Sequence, residues 1–144
     1  ANVTCPSHEG TTPADINPGT GKEWGFVDSH YGINHQHIGS SLRYLPAADP
    51  ARVFPAKMTA LRSPSQTVLM TETTRPDAPK RGCYVVHDAS GATDGVATPK
   101  HQFSLNVLWC DGHVENVKAL NSVAAYTDSI LGSYSGVASK WKRK

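Results

Sequence analysis

Asp111-Gly112 constrains this chain more than any other pair of residues. Gly accepts positive φ without steric cost and Asp tolerates it while bonding its own backbone, so the pair is a strong signal for a β-hairpin turn. Upstream, Phe103, Leu105, Val107, Leu108 and Trp109 form an apolar, partly alternating run, and downstream Val114 and Val117 flank polar Glu115 and Asn116. Both flanks therefore read as strands, in a hairpin over 103–117. Two registers are open. A two-residue loop pairs Trp109 with Val114, whereas a three-residue loop with Gly112 as a bulge pairs Leu108 with Val114.

The remaining elements follow from turn chemistry and periodicity. Residues 1–24 are rich in Pro and Gly and almost without period, so they read as an extended arm. In 25–38, Phe26, Val27, Tyr31 and Ile33 suffice for one short strand. Pro46, Pro50 and Pro55 exclude a long helix from 40–61. The run TVLMTET over 67–73 is rich in β-branched and apolar residues, which predicts a central strand. Another short strand is expected over 83–87, and a loop rich in Gly, Ala and Thr over 88–100. After the hairpin, Leu120, Val123, Ala124, Thr127, Ile130 and Leu131 fall at helical spacing, with Ser122 as cap and Gly132 as stop. This predicts a short helix within 119–132 that packs one face on the sheet. Residues 133–144 form a loose basic tail from which Tyr134 and Trp141 are able to dock.

These elements give one α+β domain spanning 1–144, with a sheet region over 25–118. The expected sheet is small and antiparallel, with about four or five strands drawn from Ile33, 67–73, 83–87 and the hairpin, long loops, and the C-terminal helix. The 12 Gly and 10 Pro agree with extensive loop, and a net charge of +2 is too small to argue for nucleic acid. No apolar run approaches the roughly 20 residues that span a bilayer as a helix.

Candidate chemistry is sparse. His35 and His37 would share one side of a strand, and seven histidines in all suit a transition-metal site, but no third ligand stands at a fixed spacing. No G-x-S-x-G elbow, HExxH or phosphate loop is present. His101 and Asp111 lie at opposite ends of the hairpin, roughly 30 Å apart at about 3.3 Å per residue in a straight strand, so they would meet only through another subunit or a sharp bend, and a structural role is favoured over a catalytic dyad.

His101, nine intervening residues and Asp111-Gly112, within the run NVLWCDGHVE, resemble the C-terminal signature of prepilin-type proteins with a His-X9-Asp-Gly motif, relatives of type II secretion pseudopilins. Cys5-Pro6-Ser7 resembles that family's CPS entry, SHYGIN over 29–34 its SYG-N segment, and SPSQTVLMTE over 63–72 its PS-x-T-hydrophobic-acidic strand. The resemblance implies a pseudopilin-like globular head and a non-catalytic subunit, or minor component, of a type IV pilus-like or type II secretion filament. Its partners would be other pilin-like subunits, and its location extracytoplasmic, at the cell surface or in the periplasm. Family members begin with an apolar helix that packs in the filament core. No such helix stands in this sequence, so the expectation is that it belongs to a longer form or to a separate polypeptide.

Pseudopilins often hold calcium in a loop near the C-terminal sheet, and Asp88, Ser90 and Asp94 supply oxygen ligands in such a loop. The three cysteines, Cys5, Cys83 and Cys110, contain no CxxC pair. In an oxidising compartment the expected disulfide is Cys5 with Cys83, leaving Cys110 beside the tight turn as a small core residue. Two other function classes fit the composition. An extracellular glycan-binding module would use exposed aromatics among Trp24, Trp109, Trp141, Tyr31, Tyr44, Tyr84, Tyr126 and Tyr134, and a metal-dependent hydrolase would use the histidines.

Overall fold

The computed structural model describes residues 29–40, 48–50, 54–76, 82–87, 95–118, 131 and 140–142. Six strands form one mixed sheet: β1 (Tyr31–Ile33), β2 (Val68–Thr74), β3 (Val86–His87), β4 (Gly95–Ala97), β5 (Ser104–Trp109) and β6 (Val114–Lys118). The order is β3-β4-β2-β5-β6, with β1 on the remaining edge of β2. Adjacent residues of a strand direct their backbone groups to opposite edges. Thr73 donates its N–H to His30 on the β1 side at 2.8 Å, while the Glu72 carbonyl accepts from Thr98 beyond β4 at 3.1 Å. The other edge of β2 is therefore divided between β5 and β4. The central position expected for 67–73 is what the sheet has.

The hairpin resolves to the bulged register. Leu108 pairs with Val114 and Leu105 with Val117. Trp109 N–H donates to the His113 carbonyl, and Gly112 N–H donates to the Trp109 carbonyl, each at 3.0 Å. Gly112 sits at φ +94°, where a β-branched side chain is strained. Gly112→Val is expected to lower stability by about 1–3 kcal/mol, read as a lower midpoint in a thermal melt.

The inward residues of β5, Leu105, Val107 and Trp109, pack with Val68, Val86, Val96, Ala97, Val117, Leu131 and Trp141 in the main core. A second cluster joins Ile38, Leu61 and Cys110 under the hairpin turn, the small core role expected of Cys110. Trp141 is wholly buried, and the flanking backbone docks on β2, with Val68 N–H donating to the Lys140 carbonyl at 2.9 Å. Residues 140–142 of the expected loose tail are thus anchored, because an indole gains more from burial than the tail loses in freedom.

Three expectations need correction. The sheet is mixed rather than antiparallel, since β3 and β4 run parallel, Val86 opposite Gly95. The stretch 88–100, expected to be all loop, contains β4. Val96 alone, between Gly95 and Ala97, favours a strand, and the three residues form one because Thr73 and Thr74 of β2 offer a partner edge. Finally, His35 and His37 do not lie on a strand. His35–Gly39 is a π-helical turn in which the Asn34 carbonyl accepts from both Ile38 and Gly39, at 2.9 and 3.0 Å. Two residues apart on such a turn, the imidazoles diverge, and His37 is buried while His35 is partly exposed.

The segment 82–87 is narrower as a strand than the expected 83–87. Val85 makes only a bridge to Ile33, and β3 begins at Val86. Even so, this segment ties β1 to β4 around Thr73, whose hydroxyl donates to the Cys83 carbonyl at 2.8 Å and accepts from Cys83 N–H at 3.0 Å. The expected terminal helix over 119–132, with its Ser122 cap and Gly132 stop, lies outside the described residues except for Leu131, and the arm over 1–24 lies wholly outside them.

Candidate functional site

A carboxylate with no exposed surface, that of Glu72, collects the polar side chains of the sheet. β2 carries Glu72 between β1 and β5 on the same face as Met70, with Tyr31 directly opposite on β1. The pairing of Thr71 with Val107 brings Asn106 beside Glu72 on the other side. Tyr31 donates its hydroxyl to Glu72 Oε1 at 3.3 Å, and Asn106 reaches Oε1 through Nδ2 and Oε2 through its backbone N–H, both at 3.3 Å. The shortest contact is His101 Nε2 to Glu72 Oε1, 2.6 Å. Which of the two atoms donates in this bond is set by the tautomer of the His101 ring. Four hydrogen bonds on two oxygens offset the cost of removing the carboxylate from water.

His101 is held by its backbone as well. Its N–H and carbonyl exchange hydrogen bonds with Ser104, at 2.9 and 3.0 Å, and the Ser104 hydroxyl donates to the same carbonyl. The two residues between them, Gln102 and Phe103, both have positive φ, 49° and 65°. This tight turn matches the strand twist but normally recruits Gly or Asn, so it persists under strain that the His101–Glu72 contact helps to hold. Asn34, on the same strand run as Tyr31, bonds the carbonyls of Val68 and Trp141 through Nδ2, at 2.8 and 2.9 Å.

The other half of the motif is separate. Asp111 bonds His113, Oδ1 to Nδ1 at 2.6 Å, and also accepts His113 N–H at 3.2 Å. Desolvation at the turn pulls the Asp111 carboxyl upward, but the His113 hydrogen bonds and charge hold it below the ordinary carboxylate range. The His113 ring stacks on Trp109, with centroids 5.8 Å apart and planes 19° from parallel. His101 and Asp111 thus serve opposite ends of the hairpin with different partners, as their spacing implied. Asp111 and Gly112 shape the turn, and His101 clamps the base.

No family model matches the chain, and no match to it was found among curated proteins or solved structures.

Among the described residues no three His, Cys, Asp or Glu side chains converge as metal ligands. The candidate calcium ligands Asp88, Ser90 and Asp94 lie outside the described residues. Cys5 does too, while Cys83 is buried and its thiol is free in this structure. Of the aromatics considered for a glycan platform, Trp109 and Trp141 are buried in the core and Tyr31 is spent on Glu72; Tyr84 is half exposed. Burial, with the Asp111 charge adding to it, pushes the Cys110 thiol up to about 11. The thiolate is the reactive form, so Cys110 is expected to resist alkylation at pH 8 in the folded protein and to react once denatured, which mass spectrometry of labelled peptides will read.

The Glu72 cluster was missed from sequence. Its only signals were an acidic residue on an otherwise apolar central strand and a histidine at the far end of the hairpin.

Proposed function

We propose that this chain is the globular head of a pilin-like protein, a non-catalytic subunit or minor component of a type IV pilus-like or type II secretion filament, outside the inner membrane. The observation that carries this reading is that Tyr31, Glu72 and His101 meet at one buried carboxylate. They come from the three segments of the chain that resemble the SYG-N, acidic-strand and His-X9-Asp-Gly elements of that family. A cluster in which each member completes another's hydrogen bonding gives a physical reason for the three segments to occur together. The group has the chemistry of a clamp, with its acceptor fully enclosed and its donors committed.

Filaments of this class are held by long apolar helices packed in the core, and such a helix would come from a longer form of the protein or from a partner polypeptide. Electron microscopy of the purified chain, alone and with an added helical partner, tests the reading. Filaments are expected only with the helix. Ordered filaments from this chain alone, or none under either condition, would overturn it. In protein recovered from an oxidising compartment, a Cys5–Cys83 disulfide is expected in peptides analysed without reductant; three free thiols there would refute that pairing.

A further inference from the structure

The outward face of the sheet carries an apolar row running across four strands. Ile33 is opposite Met70, Met70 opposite Leu108, and Leu108 opposite Val114. A groove of about 370 Å³ opens along it, lined by Tyr31, Met70, Asn106, Leu108 and Val114. Cavities of about 150 Å³ already accept a benzene ring, so the groove has room for an aromatic side chain. At the opposite end of the hairpin the strained turn presents Phe103, 61% exposed. Phe103 is not among the residues that line the groove of its own molecule.

Charge is divided along the same axis. Lys118, exposed and paired with Ser104, stands at the Phe103 end, while exposed Asp111 stands in the turn at the groove end, close to Val114. We propose that Phe103 of one molecule seats in the groove of a second copy, bringing Lys118 of the first toward Asp111 of the second. This deepens the filament reading by naming its contact between heads. Knob and socket are different surfaces, so the contact is heterologous and does not close on itself, the kind that propagates along a filament. One aromatic anchor buries about 150–250 Å², well short of the roughly 1,200–2,000 Å² of a stable interface. The heads therefore associate weakly in solution and need a second component to hold them.

Sedimentation velocity of the chain up to about 1 mM tests the contact, since an interface this small is expected to half-assemble only at high micromolar concentration or above. Phe103→Ser and Val114→Glu are each expected to weaken association at least about tenfold, from loss of the aromatic burial or of its socket. Both sites are exposed, 61% and 66%, so both variants keep the wild-type melting temperature closely enough to be compared. An equimolar mixture retains one knob and one socket and is expected to form a dimer that grows no further. A wild-type chain that stays monomeric throughout, a Phe103→Ser variant that associates as the wild type does, or a mixture that stays monomeric would each overturn the proposal. A chain that is monomeric yet enters filaments overturns the contact alone. One that associates through Phe103 yet is absent from filaments supports the contact and overturns the filament reading.

Discussion

Glu72→Ala is expected to lower the stability of the domain by about 3–5 kcal/mol, because several donors around one buried carboxyl lose their acceptor together. The cost arises from what the substitution leaves behind. The Asn106 groups and the Tyr31 hydroxyl lose their acceptor, and His101, whose side chain is 26% exposed, keeps only partial access to water. The strained Gln102-Phe103 turn loses its clamp at the same time. Glu72→Gln keeps one acceptor oxygen with nearly the same volume, so it should retain roughly half of the lost stability. Denaturant unfolding of both variants measures the difference. An alanine variant with an unchanged midpoint would mean that the donors find other partners and that Glu72 does not organise the sheet.

Gly32→Val should be comparably damaging, by about 3 kcal/mol or more, for a steric rather than an electrostatic reason. A Cβ at this position would stand 2.7 Å from Thr73 Cγ2 and 2.8 Å from both the Cys83 carbonyl oxygen and the Val85 carbonyl carbon. Two of these atoms are backbone, so relief requires separating β1 from the 82–87 segment. That separation would also disturb the Thr73 hydroxyl, which bonds both the carbonyl and the N–H of Cys83. Gly32→Ala should show most of the same loss, because the first carbon already collides. If alanine were tolerated with wild-type stability, the close approach of β1 to that segment would be wrong.

The two substitutions mark where local information stops. Asp111-Gly112 specifies its hairpin because the required conformation is a property of two adjacent residues, and Gly112 indeed has positive φ. The run over 67–73 declares a central strand for a similar reason, since its residues suit a pleated surface buried on both sides. Cys110 as a core residue follows from its place beside the turn. Even here the register stayed open between two loops, and it was settled by the bonds between Trp109 and both Gly112 and His113.

What only the tertiary structure decided is everything that depends on distant partners. A strand as short as Gly95–Ala97 has no period to read, and it exists because Thr73 and Thr74 pair with it. His35 and His37 obey strand spacing on paper, yet the Asn34 carbonyl closes a π turn around them. Glu72 looked like the end of a strand. It becomes the centre of a site because residues 41, 29 and 34 positions away arrive beside it. A buried carboxylate is tolerable only when its donors are assembled, and sequence alone names the donors without bringing them together. Local conformational preference was therefore legible residue by residue, whereas the site is a product of strand order and register, which long-range pairing sets.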